Sequence, residues 1–153
     1  MATTVTPPQA LAEIRRICLA MPEVEERLSH GSPTFFVRGK KTFVMFLDDH
    51  HGDGRLAIWC AAPPGAQAQL VEQEPQRFFR PPYVGHRGWL GVELDVDPDW
   101  EEVDEICAEA YRQVAPKALV AALDAGRPAH APGAPSTSGR SPGVATRPRR
   151  RGP

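Results

Sequence analysis

The stretch of sequence that decides the fold is YVGHRGWLGVEL, residues 83–94. It holds three glycines, and an alternation of apolar and acidic residues begins at Val92. Glycines in or beside a strand mark bends, bulges or close backbone approaches. We therefore predict a tight bend that leads into a strand from Trp89 to Leu94.

The bend places Arg87 two residues before Trp89. Two interpretations of this pair stay open. Together the two side chains could engage a planar or anionic partner. Alternatively, Trp89 belongs to the core and Arg87 is a solvated or ion-paired turn residue. The second arrangement is the usual one, because aromatic residues are mostly buried and arginines mostly exposed.

The length of 153 residues and the 41% hydrophobic content predict one domain with a substantial core. No run of 18 or more apolar residues occurs, so we predict no membrane span. The first residues lack a basic segment followed by an apolar run, which argues against a secretory signal. We therefore expect a cytoplasmic protein.

Charge is distributed unevenly along the chain. Of the 18 basic residues, six arginines lie in residues 125–153, where there is no acidic residue. Residues 1–124 therefore carry 12 basic residues against all 19 acidic ones, a net charge of −7. Residues 125–153 are also rich in Gly, Pro, Ser and Ala, which predicts a disordered basic tail behind a folded domain of residues 1–124.

Hydrophobic periodicity predicts α+β elements within residues 1–124. Three strands at 34–38, 41–47 and 55–60 form an antiparallel meander, with Gly39-Lys40 as a type II′ turn. Residues 23–27, rich in charge, are predicted to be a polar connection. Helices are predicted at residues 8–20, 64–73, 99–115 and 117–124, the third opened by a capping box of Asp99 and Glu102.

Motifs of enzymatic chemistry are missing from the sequence. It has no G-x-S-x-G, no P-loop and no G-x-G-x-x-G after a strand, so we predict no catalytic residue and no cofactor. Three cysteines, Cys18, Cys60 and Cys107, are predicted to be small buried hydrophobic residues. The acidic and histidine residues of segment 48–53 match no metal motif, and we predict a solvated loop there.

Basic residues gather around the first predicted hairpin. Arg38, Lys40 and Lys41 lie at its tip, and Arg55 starts the next strand. A basic hairpin tip can contact the DNA backbone, although charged tips are also commonly just solvated. Phe36 and Trp59 could stack on bases if exposed, and the arginine cluster at 147–151 could act as an electrostatic tether.

Several strings in the chain together resemble the MmcQ/YjbR family of small bacterial proteins. They are MPxVEE at 21–26, GxPxFxVxGK at 31–40, PxYxGxRGWxGV at 81–92 and YRxVAPK at 111–117. The resemblance implies an α+β fold of order α-β3-α-β2-α, similar to type III secretion chaperones and frataxin-like sheets. It also implies DNA binding through a double wing motif, with Lys40, Arg87 and Lys117 as the matching basic positions and Trp89 beside them.

Two functional hypotheses follow. The first is a DNA-binding or regulatory module without catalytic activity, whose phosphate contacts come from the basic hairpin and turn residues; its candidate residues are Arg38, Lys40, Lys41, Arg55, Arg87, Trp89 and Lys117. The second is an adaptor that binds a protein or a small ligand on the exposed face of the sheet, either as a monomer or as a homodimer. The nearly continuous apolar strand at 41–47 motivates it, because such a strand needs cover on both faces.

Overall fold

The structure is a computed structural model that describes residues 3–127, so most of the predicted tail lies outside the described residues. The chain divides into two units, residues 1–123 and 124–153, and the first carries the sheet and the site. The helices within the described residues are α1 (Pro7–Leu19), α2 (Ala66–Gln73), α3 (Trp100–Val114) and α4 (Lys117–Gly126). The strands are β1 (Val24–Ser29), β2 (Ser32–Val37), β3 (Lys41–Asp48), β4 (Leu56–Cys60), β5 (Phe78–Phe79) and β6 (Leu90–Glu93).

The six strands form one antiparallel sheet in the order β1-β2-β3-β4-β6-β5. The predicted α+β class with helices on an antiparallel sheet is confirmed. The predicted polar connection over residues 23–27 is wrong, because most of it is strand β1, which pairs with β2 along its whole length. Charged side chains such as Glu25 and Arg27 are typical of an edge strand, where they discourage pairing with other chains, and they concealed the strand signal.

Both hairpins at the β1 side of the sheet turn on two residues with left-handed backbone. The β1–β2 turn uses His30 and Gly31, with φ values of 52° and 81°. The β2–β3 turn uses Arg38 and Gly39, with φ values of 56° and 67°. Two positive φ angles are typical of a type I′ turn. The predicted type II′ turn at Gly39-Lys40 is therefore wrong in type and lies one residue too far along the chain.

One face of the sheet packs against α1 and α3. The ring of Phe43 meets the ring of Tyr111 edge-on at 5.6 Å, and the Tyr111 hydroxyl donates a hydrogen bond of 2.7 Å to the carbonyl of Pro22. Phe43 is the extra residue of a β-bulge opposite Phe35 and Phe36, and the bulge lets consecutive Phe43 and Val44 both be fully buried.

The three cysteines lie in this core, as the sequence predicts. Cys18, Cys60 and Cys107 are each fully buried and none forms a disulfide. Burial raises the pKa of the Cys18 and Cys60 thiols well above the ordinary value, so these groups stay protonated. A neutral, buried thiol is unreactive, which fits their role as small hydrophobic residues.

Asp99 caps the N-terminus of helix α3, as predicted, but the reciprocal half of a capping box is not formed. The Asp99 carboxylate accepts hydrogen bonds from the backbone N–H groups of Glu101 and Glu102, at 3.1 and 3.2 Å. The Glu102 side chain instead forms an ion pair with Arg77, which also bonds Glu74. The charged partner offered by Arg77 is a stronger hydrogen-bond donor than a backbone N–H, which explains the departure.

A glycine at position 91 is required by the ring of Phe79. The two residues face each other across the β5–β6 pair. A Cβ atom added at Gly91 would lie 2.5 Å from two carbons of that ring, well inside contact distance. This is the close backbone approach predicted from the glycine-rich stretch.

We expect Gly91→Ala to lower the free energy of unfolding by about 1–3 kcal/mol, the usual cost of an added methyl group in a packed site. Urea denaturation measures it. Gly126→Ala is the control, since a Cβ there meets no described atom within 4 Å. Equal unfolding free energies for the two variants would contradict the assigned contact.

Candidate ligand-binding cavity

A cavity of about 460 Å³ opens on the face of the sheet that α1 and α3 leave uncovered. Met45 and Leu47 of β3 and Trp59 of β4 line its floor. Met45 and Leu47 alternate with Phe46, which shares a separate surface pocket with Leu11 of α1 and so faces the helices. The cavity volume lies within the range of small-molecule pockets.

Loops and a hairpin form the walls of the cavity. The β1–β2 hairpin contributes His30, and a 3₁₀ turn after β3 contributes His50 and His51. The loop after β5 contributes Tyr83 and Val84. Two hydroxyls complete the lining, those of Ser29 and Ser32. The described lining therefore contains imidazoles and hydroxyls but no carboxylate, lysine or arginine.

Four aromatic rings meet at one side of the cavity. The His50 ring stands edge-on to Trp59 at 5.1 Å and lies 4.0 Å from His51. The Tyr83 ring lies 6.2 Å from His50 and 6.4 Å from each of His51 and Trp59. Trp59 is only 3% exposed, whereas Tyr83 is 68% exposed. The cluster thus runs from a buried floor to an open rim, and such edge-on geometry is the preferred one for aromatic pairs.

Hydrogen bonds from backbone N–H groups to aspartate side chains fix the turn that carries the two histidines. The Asp49 carboxylate accepts from the N–H of Gly54 at 2.7 Å, and the Asp53 carboxylate accepts from the N–H of Arg55 at 2.9 Å. These carboxylates are therefore used to shape the loop. In the part of the chain that the structure describes, no group of three or more His, Cys, Asp or Glu side chains is arranged to hold a metal ion.

The Nε2 atom of His50 is buried and makes no hydrogen bond within residues 3–127. Buried polar atoms nearly always have a partner, and an exception points to a water, an ion or a ligand. Burying such a group without a partner costs about 1–3 kcal/mol. The His50 ring therefore carries one unpartnered polar atom that is shielded from solvent beside the cavity.

Three residues that line the cavity have left-handed backbone although none is glycine. The φ angles are 52° at His30, 53° at His51 and 66° at Tyr83. Such conformations cost on the order of 1–3 kcal/mol each and cluster at ligand sites and active sites. They are three of the seven non-glycine residues with positive φ among residues 3–127, and they lie on three different walls of the same cavity.

Helix α2 holds the loop that carries Tyr83 and Val84. The side-chain amide of Gln67 donates to the carbonyl of Gly85 at 2.8 Å and also to the carbonyl of Trp89. Both acceptors belong to the glycine-rich stretch, whose 3₁₀ turn spans Gly85–Arg87. One half-buried amide therefore links this loop to α2.

The predicted pair of Arg87 and Trp89 is close in space, but Trp89 is core. Its ring is only 4% exposed, and the Arg87 guanidinium lies 5.2 Å from the ring centre. A cation at this distance from an indole face is a stabilising contact. The arrangement matches the alternative in which Trp89 is buried, with Arg87 covering the ring.

The other predicted nucleic-acid residues fall into two groups. Arg38 forms an ion pair with Glu23 at 2.9 Å. Arg55 pairs with Glu93 and stacks 3.9 Å from the centre of the Phe79 ring. The remaining three, Lys40, Lys41 and Lys117, make no ion pair or side-chain hydrogen bond within residues 3–127.

The sheet separates Arg55 from the hairpin tip. Lys40 precedes β3 and Lys41 is its first residue, whereas Arg55 lies beyond the other end of that strand. Eight strand residues at about 3.3 Å each place the two ends roughly 25 Å apart.

Burial is the main influence that raises the pKa of Glu93, and the Arg55 cation opposes it. The structure therefore uses Arg55 to compensate a half-buried carboxylate.

Sequence reasoning missed His30, Tyr83 and the serines of the cavity. The β1–β2 hairpin was not predicted, so its side chains could not be placed over the sheet. His50 and His51 were considered only as metal ligands. The floor of the cavity could have been predicted, because Met45 and Trp59 pair across β3 and β4 and strand alternation places them on the same face of the sheet.

No helix within residues 3–127 is long and apolar enough to cross a membrane.

Comparison with known proteins bears on both fold and family. A Deinococcus radiodurans protein, DR2400, with a DUF419 domain, has a similar structure with a TM-score of 0.60. The two chains share 21% identity, and the match covers 78% of this chain and 91% of that one. Among curated proteins, none matches significantly. The model of the YjbR family matches residues 19–113, which include every lining residue of the cavity. The chain belongs to the YjbR family.

Proposed function

We propose that this protein is a non-catalytic binding module that holds a small, largely apolar ligand in the cavity on the open face of its sheet. The observation that carries the proposal is the cavity itself, with its buried Trp59 floor and its rim of His50, His51 and Tyr83. A concave, mostly apolar site with few polar groups is the usual form of a small-molecule site.

The lining supports binding rather than catalysis. Acid–base and nucleophilic chemistry usually requires a base that a third group orients, often a carboxylate. Among the described lining residues there is no carboxylate and no cationic lysine or arginine. The carboxylates of the neighbouring turn, Asp49 and Asp53, bond backbone N–H groups of their own loop.

The size of the cavity sets the expected affinity. An aromatic side chain buries about 150–250 Å². A ligand of that size, burying about 200 Å² at about 25 cal/mol per Å², gains about 5 kcal/mol. This corresponds to a Kd on the order of 0.1–1 mM for a simple aromatic compound.

We expect Tyr83→Ala to raise the Kd of a simple aromatic ligand by about threefold to tenfold, because the variant removes an aromatic contact of about 0.5–1.5 kcal/mol. The fold should be unaffected, since Tyr83 is 68% exposed. Saturable quenching of Trp59 fluorescence measures the binding, and Trp59→Phe identifies its signal among the three tryptophans.

Leu19→Ala is the matched control for Tyr83→Ala. Leu19 is also a large exposed apolar residue, at 45% exposure, but it ends α1 and does not line the cavity. Its Kd should equal that of the unchanged protein. An absence of saturable quenching, or equal effects of both substitutions, would overturn the proposal.

DNA binding is the second candidate, and one observation favours it. Lys40 and Lys41 follow the tip of the β2–β3 hairpin and are both exposed, with no ion pair within residues 3–127. Two such lysines can contact phosphates without any sequence preference. The net charge of −7 on residues 1–124 limits the strength of such binding.

Under this second hypothesis, the double variant Lys40→Ala/Lys41→Ala should reduce the slope of log K against log salt by about 1.8, because each phosphate contact contributes about 0.9. Fluorescence anisotropy with a duplex of about 20 base pairs, between roughly 50 and 200 mM salt, measures the slope. Arg16→Ala is the control, because Arg16 pairs with Glu13. An unchanged slope in the double variant would contradict a role for the hairpin.

A further inference from the structure

The two edges of the sheet differ in how they are protected from pairing with another strand. Strand β5 forms one edge and has only two residues, Phe78 and Phe79. Strand β1 forms the other edge and has six residues, Val24–Ser29, in a regular register with β2. It contains no proline, glycine or bulge, which are common means of blocking an edge. A long, regular edge strand is a template for a further strand, so β1 is a candidate interaction surface.

The backbone hydrogen bonds show which groups of β1 point away from the sheet. The N–H of Arg38 donates to the carbonyl of Glu23 at 2.8 Å, just before β1, so the odd-numbered residues bond toward β2. Hydrogen bonding alternates along an antiparallel ladder, and the even-numbered residues therefore direct their N–H and C=O groups to the open edge. These residues are Val24, Glu26 and Leu28. Within residues 3–127 no strand pairs with β1 on this side.

We propose that β1 pairs antiparallel with β1 of a second copy of this chain, about a two-fold axis at Glu26. The axis is perpendicular to the sheet, so the same surface of both copies forms the interface. The outward groups of Glu26 then bond those of Glu26 in the second copy. The outward groups of Val24 bond those of Leu28 in the second copy, and the reverse. Each of these residue pairs exchanges two backbone hydrogen bonds.

The charges of β1 favour this register over the neighbouring ones. With the axis at Glu26, Glu25 of each copy lies opposite Arg27 of the other copy. An axis at residue 25 would oppose two glutamates, and an axis at residue 27 would oppose two arginines. Like charges directly opposite each other destabilise a strand pair, whereas opposite charges stabilise it. The charges that discourage pairing with an arbitrary strand are thus complementary to those of an identical strand.

Glu25 and Arg27 already form an exposed ion pair of 3.4 Å within one chain. Both side chains lie on the same face of β1, because they are two residues apart in a strand. Across the axis, the four side chains of two copies would alternate in sign. Each charge would then have two neighbours of the opposite sign, one in its own chain and one in the second copy.

The side chains on the other face of β1 are compatible with the same axis. Two copies of Glu26 meet at the axis, but Arg15 of α1 donates two hydrogen bonds of 2.8 Å to each carboxylate and neutralises it. Leu28 is 73% exposed, the most exposed large apolar side chain within residues 3–127. In the pair it lies opposite Val24 of the second copy, which removes apolar surface from water.

The pairing joins the two six-stranded sheets into one continuous sheet. Because the axis is perpendicular to the sheet, the cavities of both copies open on the same side of it. The pairing needs no ligand in the cavity, so the two proposals can fail independently.

Sedimentation velocity of the full-length chain, between about 10 µM and about 1 mM, measures the Kd of the dimer, which should be weak because the interface is small. We expect Glu25→Arg to raise this Kd by about fivefold or more, since two attractive pairs across the axis become repulsive. The double variant Glu25→Arg/Arg27→Glu places opposite charges across the axis again, and its Kd should return to that of the unchanged protein. Glu13→Arg is the control, because it makes the same change of charge on α1.

Glu26→Pro tests the backbone hydrogen bonds. The N–H of Glu26 points away from β2, so proline removes a donor of the dimer and none of the β1–β2 ladder. We expect Glu26→Pro to stay monomeric, whereas Glu26→Ala, which loses only the ion pair with Arg15, should still dimerise. Hydrogen exchange at the amides of Glu26 and Leu28 should also slow as the concentration of the unchanged protein rises. Thermal melting shows that each variant is folded.

Three results would overturn the proposal. The first is an unchanged protein that stays monomeric at about 1 mM, a concentration at which a weak dimer forms. The second is a dimer that survives Glu26→Pro, because its interface would lie elsewhere. The third is an equal Kd for Glu25→Arg and Glu13→Arg, because the charges of β1 would then have no part in the pairing.

Discussion

Strand β3 must be covered on both faces, and the arrangement of the other elements follows from this requirement. Phe43, Val44, Phe46 and Leu47 are all buried within one eight-residue strand. Helices α1 and α3 cover one face, where Phe43 meets Tyr111. On the other face, no helix within residues 3–127 covers Met45 and Leu47. Loops, the end of a hairpin and a 3₁₀ turn cover these two side chains instead. Loops close a surface less completely than a helix does, and the cavity is the space that remains.

The loops hold their positions through strained backbone and specific hydrogen bonds rather than through hydrophobic burial alone. Left-handed residues turn the chain at His30, His51 and Tyr83, each at the cavity. Gln67 anchors the glycine-rich stretch from α2, and Asp49 anchors the histidine turn. A site that exists before its ligand arrives loses less conformational entropy on binding. The free-energy cost of ordering these loops is therefore met when the chain folds and not when a ligand binds.

Electrostatics distinguish the two functional candidates. Seven arginines within residues 3–127 pair with glutamates, and they are Arg15, Arg16, Arg27, Arg38, Arg55, Arg77 and Arg112. Phosphate would have to compete with a carboxylate for each of them. Arg55 is moreover about the length of β3 away from Lys40 and Lys41. By contrast, the aromatic cavity needs no charge to bind a ligand, which is why we place it first.

Much of the fold could be predicted from the sequence, because its strongest patterns are local. The apolar run of β3 and the glycine-rich stretch before β6 each indicated their elements, and Gly91 proved to be a close approach. Strand β1 was missed because Glu25, Glu26 and Arg27 suit both an edge strand and a polar loop. The cavity was missed for a different reason. It depends on positive φ angles at His30, His51 and Tyr83, and none of these positions holds the glycine that usually marks left-handed backbone.

The most direct test of the ligand site is a crystal structure of the full chain soaked with p-cresol. The account predicts density for one ring in the cavity, over Met45 and Leu47 and against the exposed ring of Tyr83. The loop that carries Tyr83 should stay in place against Gln67. An empty cavity, with p-cresol bound elsewhere or not at all, would contradict the claim that this face of the sheet is a preformed ligand site.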